Sequence, residues 1–375
     1  MKILNVNISL DPIHGGGTAE RTFQMSRFLA NAGHTCTILT TDLGLLPERV
    51  DDLAGVEIIA LPCLAARFYV PWFSFSTIKR IVGNSDIIHL MNHWSFLNAL
   101  VYCFARLQKK PYVICPAGSL PIYGRSKLIK IFYNLVIGTR IIRNADRCVA
   151  ITPDEIARLM RFGVERIKIS VIPNGVCPEE FLNKDDTAFR QAHGLPDKPF
   201  ILFVGRLNSI KGPDLLLRAF CAIKDEFPHH LVFAGPDGGM LRDLKEIVRQ
   251  ENIIDRVHFV GYLDGTQKSF AYHAADLLVI PSRSEAMSIV VLEAGAAATP
   301  VLLTDQCGFD IKETGGGMVV PVSVEGISAG LTNLLSRSDE LKTMGNKLKQ
   351  YTQEFFTWRH IVGKYIRLYE EILGI

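Results

Sequence analysis

Residues 200–217 read FILFVGRLNSIKGPDLLL, and this stretch decides the fold class. A short apolar run leads into a loop with two cations, Arg206 and Lys211, and an apolar helical pattern follows from Pro213. This order predicts a β-strand, a loop at its carboxyl end and an α-helix. Because open parallel sheets bind ligands beyond the carboxyl ends of their strands, the two cations are predicted to bind a diphosphate. The alternative is a pair of solvated surface cations.

Short β-branched apolar runs alternate with helical stretches on both sides of this segment. Such alternation predicts βαβ units and parallel sheets. The runs are KILNVNI (2–8), TCTILTT (35–41), VEIIALP (56–62), DIIHLMN (86–92), PYVICPA (111–117), RCVAITP (147–153), KISVIPN (168–174), FILFVGR (200–206), HLVFAG (230–235), VHFVGYL (257–263), DLLVIPS (276–282), TPVLLTD (299–305) and MVVPV (318–322).

A chain of 375 residues exceeds the size at which one hydrophobic core usually keeps growing, so two domains are expected. Residues 177–199 are polar, contain prolines and show no sustained strand pattern, so we interpret them as a linker. The sequence thus predicts an α/β fold with two Rossmann-like, doubly wound domains, at residues 1–180 and 196–354. A charged amphipathic pattern at residues 351–375 predicts a final helix, assigned from about residue 355.

The composition is that of an ordinary soluble globular protein, with 48% hydrophobic and 21% charged residues. The eight cysteines are scattered without a CxxC pair, which is typical of free thiols in a reducing compartment. The amino terminus lacks the long apolar segment of a signal peptide. No apolar run approaches the roughly 18 to 20 residues of a membrane-spanning helix. We therefore expect a cytoplasmic location.

Positive charge is concentrated in the first half of the chain. Residues 1–195 contain 22 Lys and Arg against 16 Asp and Glu, although the whole chain has a net charge of only +3. Residues 58–150 contain just two acids and twelve cations: Arg67, Lys79, Arg80, Arg106, Lys109, Lys110, Arg125, Lys127, Lys130, Arg140, Arg143 and Arg147. This basic belt is predicted to contact an anionic membrane peripherally, and the alternative is a set of solvated helix faces. No nucleic-acid partner is expected.

A glycine-rich loop, HGGGTAERT, follows the first strand and precedes a helix predicted at residues 18–32. Glycines such as Gly16 and Gly17 let the backbone approach a phosphate closely at a helix amino terminus. A turn that needs positive φ explains them equally well. The spacing does not match GxGxxG, which disfavours a nicotinamide dehydrogenase.

Two glutamates occur in the segment DLLVIPSRSEAMSIVVLEAGAAATPVLLTD, residues 276–305. Glu285 precedes a predicted helix that begins near Ser288, and Glu293 lies more than one turn inside it. The two carboxylates are predicted to bind different parts of one elongated ligand, a sugar and a ribose diol. A buried Glu is costly unless it is paired, so the structural alternative for Glu293 requires a buried cation partner.

Several segments in a fixed order resemble glycosyltransferase family 4, the large retaining family with the GT-B fold, over nearly the whole chain. They are the GGxAER-like start (Gly16, Gly17, Ala19, Glu20 and Arg21), VIPNGV (171–176), GRLNSIKG (205–212), FAGPD (233–237), VHFVGYL (257–263) and the two glutamates, Glu285 and Glu293. The resemblance implies two domains that face each other across a cleft, with the final helix packed back on the first domain.

The resemblance also implies roles for individual residues on the donor side. Arg206 and Lys211 would hold the diphosphate of a UDP- or GDP-sugar, Glu293 the ribose and Glu285 the transferred hexose. The remaining donor contacts would come from backbone and side chains at Gly16, Gly17, Val260, Tyr262, Ala286, Met287 and Ser288. Family members work without a metal or other cofactor, and the sequence correspondingly offers no DxD motif.

The chain departs from the family pattern after the fifth strand, where many relatives have His or Arg and this sequence has Pro116, Ala117 and Gly118. His89 or His93, in HLMNHW, could contact the acceptor or sugar instead, together with Gly118. A lone His in a strand-end loop is about as often merely packed.

No residue stands out as a nucleophile, so retention is predicted to proceed by front-face displacement, with Arg206, Lys211 and Glu285 as catalytic residues. The acceptor is expected to be a glycan or a lipid-linked glycan in cell-surface polysaccharide or lipopolysaccharide biosynthesis. Two alternatives remain open. One is a nonhydrolysing nucleotide-sugar epimerase of the same architecture, and the other is a catalytically silent nucleotide-sugar binding protein.

Overall fold

The computed structural model describes residues 1–13, 15–122, 126–311 and 314–375. It contains strands at every predicted run and one additional short pair. The strands are β1 (Lys2–Val6), β2 (Thr35–Thr41), β3 (Val56–Leu61), β4 (Cys63–Ala65), β5 (Val70–Pro71), β6 (Ile87–Met91), β7 (Tyr112–Cys115), β8 (Arg147–Ala150), β9 (Ile169–Val171), β10 (Phe200–Val204), β11 (His230–Ala234), β12 (Val257–Gly261), β13 (Leu277–Ile280), β14 (Val301–Thr304) and β15 (Gly317–Val320).

Helices connect these strands. They are α1 (Gly16–Asn31), α2 (Pro47–Asp51), α3 (Phe75–Asn84), α4 (Phe96–Leu107), α5 (Lys127–Tyr133), α6 (Thr139–Arg143), α7 (Asp154–Arg161), α8 (Asp186–His193), α9 (Pro213–Ile223), α10 (Leu241–Gln250), α11 (Gly265–Ala274), α12 (Ile289–Ala297), α13 (Val324–Leu335), α14 (Ser338–Phe355) and α15 (Trp358–Leu373). A π-helical turn, Asn134–Gly138, joins α5 to α6.

The chain forms two compact units. The first consists of Met1–Asn174 and Trp358–Ile375, and the second of Gly175–Thr357. In the first unit, seven parallel strands are ordered β3-β2-β1-β6-β7-β8-β9. In the second, six parallel strands are ordered β12-β11-β10-β13-β14-β15. Each unit is therefore a doubly wound α/β domain, as predicted.

Each sheet has its own core, because central parallel strands with helices on both faces bury nearly every side chain. All five residues of β6 are buried, and so are all four of β13. Leu4, Ile88 and Ile114 lie in the core of the first unit, and a separate core in the second includes Ile201 and Leu277. The near-continuous apolar runs in the sequence reflect this two-sided burial.

The predicted linker at residues 177–199 is wrong. The segment belongs to the second unit, where a 3₁₀ turn, Pro178–Phe181, and helix α8 follow one another. Phe189 on α8 is fully buried and stacks on Phe200, with ring centroids 6.0 Å apart. Ser269 of α11 donates a hydrogen bond of 2.7 Å to the carbonyl of Asn183. The 3₁₀ turn buries only Phe181 and α8 buries only Phe189. This is too little apolar pattern for either element to be recognised in the sequence.

The final helix begins at Trp358, and residues 351–355 belong to the preceding helix, α14. Helix α15 packs within the first unit, next to α1. Its Tyr365 and Tyr369 are fully buried. Within the described residues, no helix is long and apolar enough to cross a bilayer.

Arg21 ties α1 to two distant parts of the first unit. Its guanidinium is fully buried and donates a 2.9 Å hydrogen bond to the carbonyl of Ile172, after β9. It also donates to the side-chain oxygen of Asn174 and to the hydroxyl of Tyr365 on α15. The Arg of the AER segment and the Asn of the PNG segment are therefore partners in one buried network, which explains structurally why both motifs are present.

Candidate donor site in the second unit

The order of strands reverses between β10 and β13, which are hydrogen-bonded neighbours although two strands separate them in sequence. Such a switch point leaves a crevice at the carboxyl ends of the two strands, where doubly wound sheets bind ligands. Arg206 and Lys211 lie in the loop between β10 and α9, as predicted. Glu285 lies in the loop between β13 and α12. The predicted residues therefore flank the switch point from both sides.

Lys211 and Glu285 form an ion pair. The Glu285 side chain is buried, whereas one third of the Lys211 side chain is exposed, at 33%. The backbone N–H of Lys211 donates a 3.0 Å hydrogen bond to Oδ1 of Asn208, which holds the loop in a tight turn. Two residues predicted separately to bind a donor thus meet side chain to side chain, although 74 positions separate them in the sequence.

The surroundings of Lys211 make its charged form less favourable than in water. The pKa of Lys211 is lowered to about 8, chiefly by burial and in part by the positive charge of Arg206, while Cys307 and Glu293 act in the opposite direction. Both cations lie in the same loop, between β10 and α9. Two cations in one loop at a partly desolvated strand end are suited to bind a dianion such as a diphosphate.

Two glycines let the loops of this site approach each other. Gly212 has φ +68°, and a Cβ there would lie 2.1 Å from the carbonyl oxygen of Pro281. Gly308 has φ +60°, and its Cβ would lie 1.8 Å from the carbonyl oxygen of Ala286. Both the backbone conformation and the space available therefore require glycine.

Arg283 clamps the loop after β13 to the loop after β10, and sequence reasoning missed it. Its guanidinium donates hydrogen bonds of 2.8 and 2.6 Å to the two carboxylate oxygens of Asp214 on α9. Its backbone N–H donates a 2.7 Å hydrogen bond to the carbonyl of Ile210. Asp214 lies 69 residues before Arg283, so no local pattern connects the two.

Glu293 lies one turn inside α12, as predicted, and is buried. Its two carboxylate oxygens accept hydrogen bonds from α11, one of 2.6 Å from the hydroxyl of Tyr272 and one of 2.9 Å from Nζ of Lys268. The cation partner that the structural alternative requires is therefore present. The ribose role of Glu293 stays a prediction, and Lys268 and Tyr272 are neighbours that sequence reasoning missed.

The other predicted donor contacts lie at the same edge of the second sheet. Val260 is in β12 and Tyr262 follows it with its side chain exposed. Ala286 and Met287 lead into α12, and Ser288 is its N-cap residue. The hydroxyl of Ser288 is buried and has no hydrogen-bond partner among the described residues. Their contacts with a nucleotide sugar stay predictions.

The glycines of the glycine-rich loop in the first unit are explained mainly by the turn that they form. Helix α1 begins at Gly16, earlier than predicted, and Gly16 has φ +64°. A Cβ on Gly15 would lie 2.5 Å from the carbonyl oxygen of Asp11. Gly16 and Gly17 are both exposed. A phosphate contact at Gly16 and Gly17 stays a prediction, and His14 of the HGGGTAERT motif lies outside the described residues.

His89 and His93 are both packed inside the first unit. His89 lies within β6 and not in the loop after it, contrary to the prediction, and its Nδ1 shares a 2.6 Å hydrogen bond with the hydroxyl of Tyr369. His93 follows β6, and its Nε2 shares a 2.8 Å hydrogen bond with Oδ1 of Asn134. Burial lowers the pKa of His89 to about 3 and that of His93 to about 4, so both rings are neutral. The packed alternative therefore describes both histidines.

Gly118 is held by a buried carboxylate. Its N–H donates a 2.6 Å hydrogen bond to Oε1 of Glu155 on α7, and Oε2 of Glu155 accepts a 2.7 Å hydrogen bond from the N–H of Ile151. Burial raises the pKa of Glu155. Ala117 and Gly118 both have positive φ, +47° and +84°. The backbone N–H of Gly118 is thus already engaged, and its contact with a sugar stays a prediction.

The basic belt does not form a single surface. Arg80 lies at the amino ends of the strands of the first sheet, beside Lys2 at the start of β1. Lys110 donates a 2.8 Å hydrogen bond to the carbonyl of Ser85 at the same edge. Lys130 lies at the other edge, 5.7 Å from the ring of Trp94, which follows β6. Arg125 lies outside the described residues.

Two family models match the chain. The glycosyltransferase family 4 model matches residues 15–180, and the model described as glycosyl transferases group 1 matches residues 185–351. A D-inositol 3-phosphate glycosyltransferase of Catenulispora acidiphila is 36% identical over 333 residues, which are 80% of this chain and 78% of that protein.

Two further proteins match nearly end to end. An uncharacterized glycosyltransferase of Methanocaldococcus jannaschii is 29% identical over 401 residues that cover 100% of both chains. The crystal structure of HepE from Anabaena in complex with UDP-glucose has a TM-score of 0.82, although it is only 16% identical, and covers 99% of this chain and 100% of HepE.

The two doubly wound sheets and these matches define a glycosyltransferase of the GT-B class. The chain belongs to glycosyltransferase family 4.

Proposed function

We propose that this glycosyltransferase moves a hexosyl unit, with retention, from a UDP- or GDP-sugar to a glycan or lipid-linked acceptor. The observation that carries the proposal is that Arg206, Lys211 and Glu285 lie in the two loops that flank the switch point of the second sheet, where Lys211 pairs with Glu285. Cations suit the diphosphate and a buried carboxylate suits sugar hydroxyls.

Donor binding exchanges the partner of Lys211. Without donor, the ammonium of Lys211 is paired with Glu285. The diphosphate carries more negative charge than one carboxylate and therefore draws the ammonium toward itself. The carboxylate of Glu285 is then free to accept hydrogen bonds from the hydroxyls of the sugar. Glu293 and Ser288 line the path to the ribose.

The transfer step is a front-face displacement. The bond between the anomeric carbon and the diphosphate oxygen breaks, and the acceptor oxygen bonds to the same face of the sugar ring. The acceptor proton passes to the departing diphosphate oxygen. Arg206 and Lys211 stabilise the charge that develops on that oxygen, which is the electrostatic contribution to catalysis. Because two cations supply this stabilisation, the reaction is proposed to need no metal or other cofactor.

Two kinds of acceptor are proposed, one from a relative and one from the charge of the first half of the chain. A relative at 36% identity is named for D-inositol 3-phosphate, an anionic small molecule, and the cationic first half of this chain suits an anionic acceptor. A lipid-linked glycan, presented at an anionic membrane that the first unit contacts peripherally from the cytoplasm, fits the same charge. This second acceptor is the one that polysaccharide or lipopolysaccharide biosynthesis requires.

HepE, solved with UDP-glucose, supports a UDP-sugar as donor.

A thermal-shift screen with UDP-, GDP- and ADP-sugars tests donor binding, since a ligand bound only by the native state raises Tm with concentration. Analysis of products formed from the preferred donor alone, and then with candidate acceptors, tests the reaction. Appearance of an epimerised nucleotide sugar without acceptor favours the epimerase alternative. Binding without turnover in the presence of glycan, inositol phosphate and lipid acceptors favours a silent binding protein.

A further inference from the structure

Helices α5 and α6 form one continuous helical segment, residues 127–143, with an unusual outward face. Leu128, Ile131, Phe132 and Leu135, spaced as one side of a helix, are exposed by 81%, 52%, 66% and 78%. We call these four residues the outward row. A surface helix normally turns its apolar side toward the core and its polar side toward solvent, and here an apolar side faces solvent.

The opposite side of the segment is also apolar, and it packs against the core of the first unit. Tyr133 and Ile137 pack on the core of the first unit, and Ile141 is buried in it. The hydroxyl of Tyr133 donates a 2.9 Å hydrogen bond to the carbonyl of Ser95. Packing of the segment within the unit therefore does not explain the outward row, and the apolar residues of that row need another partner.

The first unit has other exposed aromatic residues, on α3 and α4. Phe96 follows Ser95 directly, and its ring centroid lies 6.0 Å from that of Phe73. Phe75 contacts the same Phe73 ring at 5.3 Å. Phe75 and Phe96 are both exposed. Phe75 and Phe96 thus form a second group of exposed apolar side chains in the first unit, gathered around Phe73.

The charge around the outward row identifies what covers it. Lys127, Lys130, Arg140 and Arg143 lie on the same helical segment, and no acid occurs in the sequence between Asp86 and Asp146. A second copy of this chain on the outward row would oppose cation to cation without a carboxylate. An anionic bilayer instead supplies phosphates for the cations and acyl chains for the apolar row.

We propose that residues 127–143 insert the outward row into the interfacial region of an anionic lipid bilayer, with the surrounding cations at the lipid phosphates. The inference rests on the proposed function, because it explains how a lipid-linked acceptor reaches the first unit. It goes beyond the peripheral electrostatic contact of a basic belt, since it requires apolar side chains to leave water. Insertion therefore leaves part of the binding resistant to salt, whereas a purely electrostatic contact is screened.

Co-sedimentation of the full chain with vesicles tests insertion. Vesicles of phosphatidylcholine alone and with phosphatidylglycerol are compared at about 0.1 M and about 1 M salt, where charges are screened over about 10 and 3 Å. The wild type is expected to pellet with anionic vesicles at low salt and to pellet in part at high salt. The double variant Leu128→Ser/Phe132→Ser is expected to partition at least about tenfold more weakly and to lose the salt-resistant fraction.

The matched control is Leu107→Ser. Leu107, at the end of α4, is as exposed as Leu135, at 78%, but lies outside the outward row. This control is expected to pellet like the wild type. Because Leu128 and Phe132 are exposed, their substitution leaves the fold intact, and equal thermal unfolding of all three proteins verifies this.

Three outcomes overturn the inference: no pelleting of the wild type with either vesicle, equal pelleting of the double variant and the wild type, or a wild-type dimer that the double variant converts to monomer. A dimer would assign the outward row to a second copy. The donor thermal shift, measured without vesicles, is independent of these results. Loss of vesicle binding with an intact donor shift therefore rejects insertion alone, and an absent donor shift rejects the proposed function alone.

Discussion

Lys211 carries most of the chemistry proposed for the donor site. It is paired with Glu285 and lies near Arg206, and its pKa is lowered to about 8. An ammonium that is poorly solvated and close to another cation gains more from a diphosphate than a surface lysine does. Its position at the switch point makes this gain available for binding and for stabilising the departing diphosphate.

Replacing Arg206 or Lys211 by Ala is expected to lower kcat by about a hundredfold or more, because each removes a charge that stabilises the leaving group. Steady-state kinetics with the preferred donor measure this. Arg249→Ala is the matched control, because Arg249 is an exposed cation of the same unit on α10. Near-normal turnover in either purified variant would show that the cation is not part of the catalytic site.

Nucleotide binding is expected to depend on pH through Lys211. Below about pH 8 the ammonium is charged in the free protein and binds the diphosphate directly. Above that pH the amine must first take up a proton, so the Kd for UDP is expected to increase by up to tenfold per pH unit. The phosphate itself is already ionised, since its second pKa is about 6. Calorimetric titration from pH 7 to 10 should show this rise in the wild type and a flat profile in Lys211→Met.

The sequence predicted the positions of the candidate residues in the fold where a strand end places them, and their roles stay predictions. Arg206, Lys211 and Glu285 each lie in the loop that follows an apolar run, and the carboxyl end of that run determines the edge of the sheet on which they lie. Side-chain pairing at the site was not predictable, because Lys211 pairs with Glu285, Arg283 with Asp214 and Glu293 with Lys268 between separate elements. His89 was misplaced because the strand that contains it extends beyond it to Met91.

At the scale of elements, the site depends on loops that only glycine allows to approach. Gly308 packs its backbone against the carbonyl of Ala286, in the loop that carries Glu285. In the same way, the backbone of Gly212, in the turn before α9, packs against the carbonyl of Pro281. These contacts fix how far apart the cations and the carboxylate lie.

Substituting Gly308 by Ala is expected to displace the loop that carries Glu285, since the new Cβ would lie 1.8 Å from a carbonyl oxygen and φ is +60°. We expect a loss of roughly 2 kcal/mol or more in stability and weaker donor binding. Chemical denaturation and calorimetry measure the two effects.

Gly363→Ala is the matched control, because Gly363 lies inside α15 and a Cβ there meets no atom within 4 Å. Ala is the better helix former, so this variant should be more stable by about 0.5 to 1 kcal/mol. Equal effects of the two substitutions would mean that the loop contact at Gly308 does not hold the site.

Element positions were predictable where periodicity is strong and not where it is weak. Every apolar run that was assigned to a strand contains one, because two-sided burial imposes a continuous pattern. Helix α8 was missed because Asp186–His193 buries only Phe189. The break between α14 and α15 was missed because the helical pattern continues across Phe356 and Thr357 without a proline or glycine.

At the scale of the whole molecule, the chain leaves the first unit after Asn174 and returns to it at Trp358. We call these two places the crossing points. Arg21 stabilises both, because it donates one hydrogen bond to Asn174, where the chain leaves, and one to Tyr365 on the helix with which it returns. The two ends of the first unit are therefore joined by one buried side chain.

Arg21→Met is expected to destabilise the first unit by about 3 kcal/mol or more, because three buried acceptors lose their donor at once. Urea denaturation monitored by circular dichroism measures the loss. Arg27→Met on the same helix is the control, since Arg27 is only half-buried and stacks on Phe23 and Phe28; its cost should stay below about 1 kcal/mol. A similar small cost for both variants would show that the Arg21 network does not join the crossing points.

The most direct test of the central claim is calorimetric titration of the preferred nucleotide sugar into the wild type and into the double variant Arg206→Ala/Lys211→Ala. The position of Arg206, Lys211 and Glu285 at the switch point predicts saturable binding by the wild type and at least about a hundredfold weaker binding by the folded double variant. Equal affinity in the two proteins would contradict the assignment of the donor site to the switch point between β10 and β13.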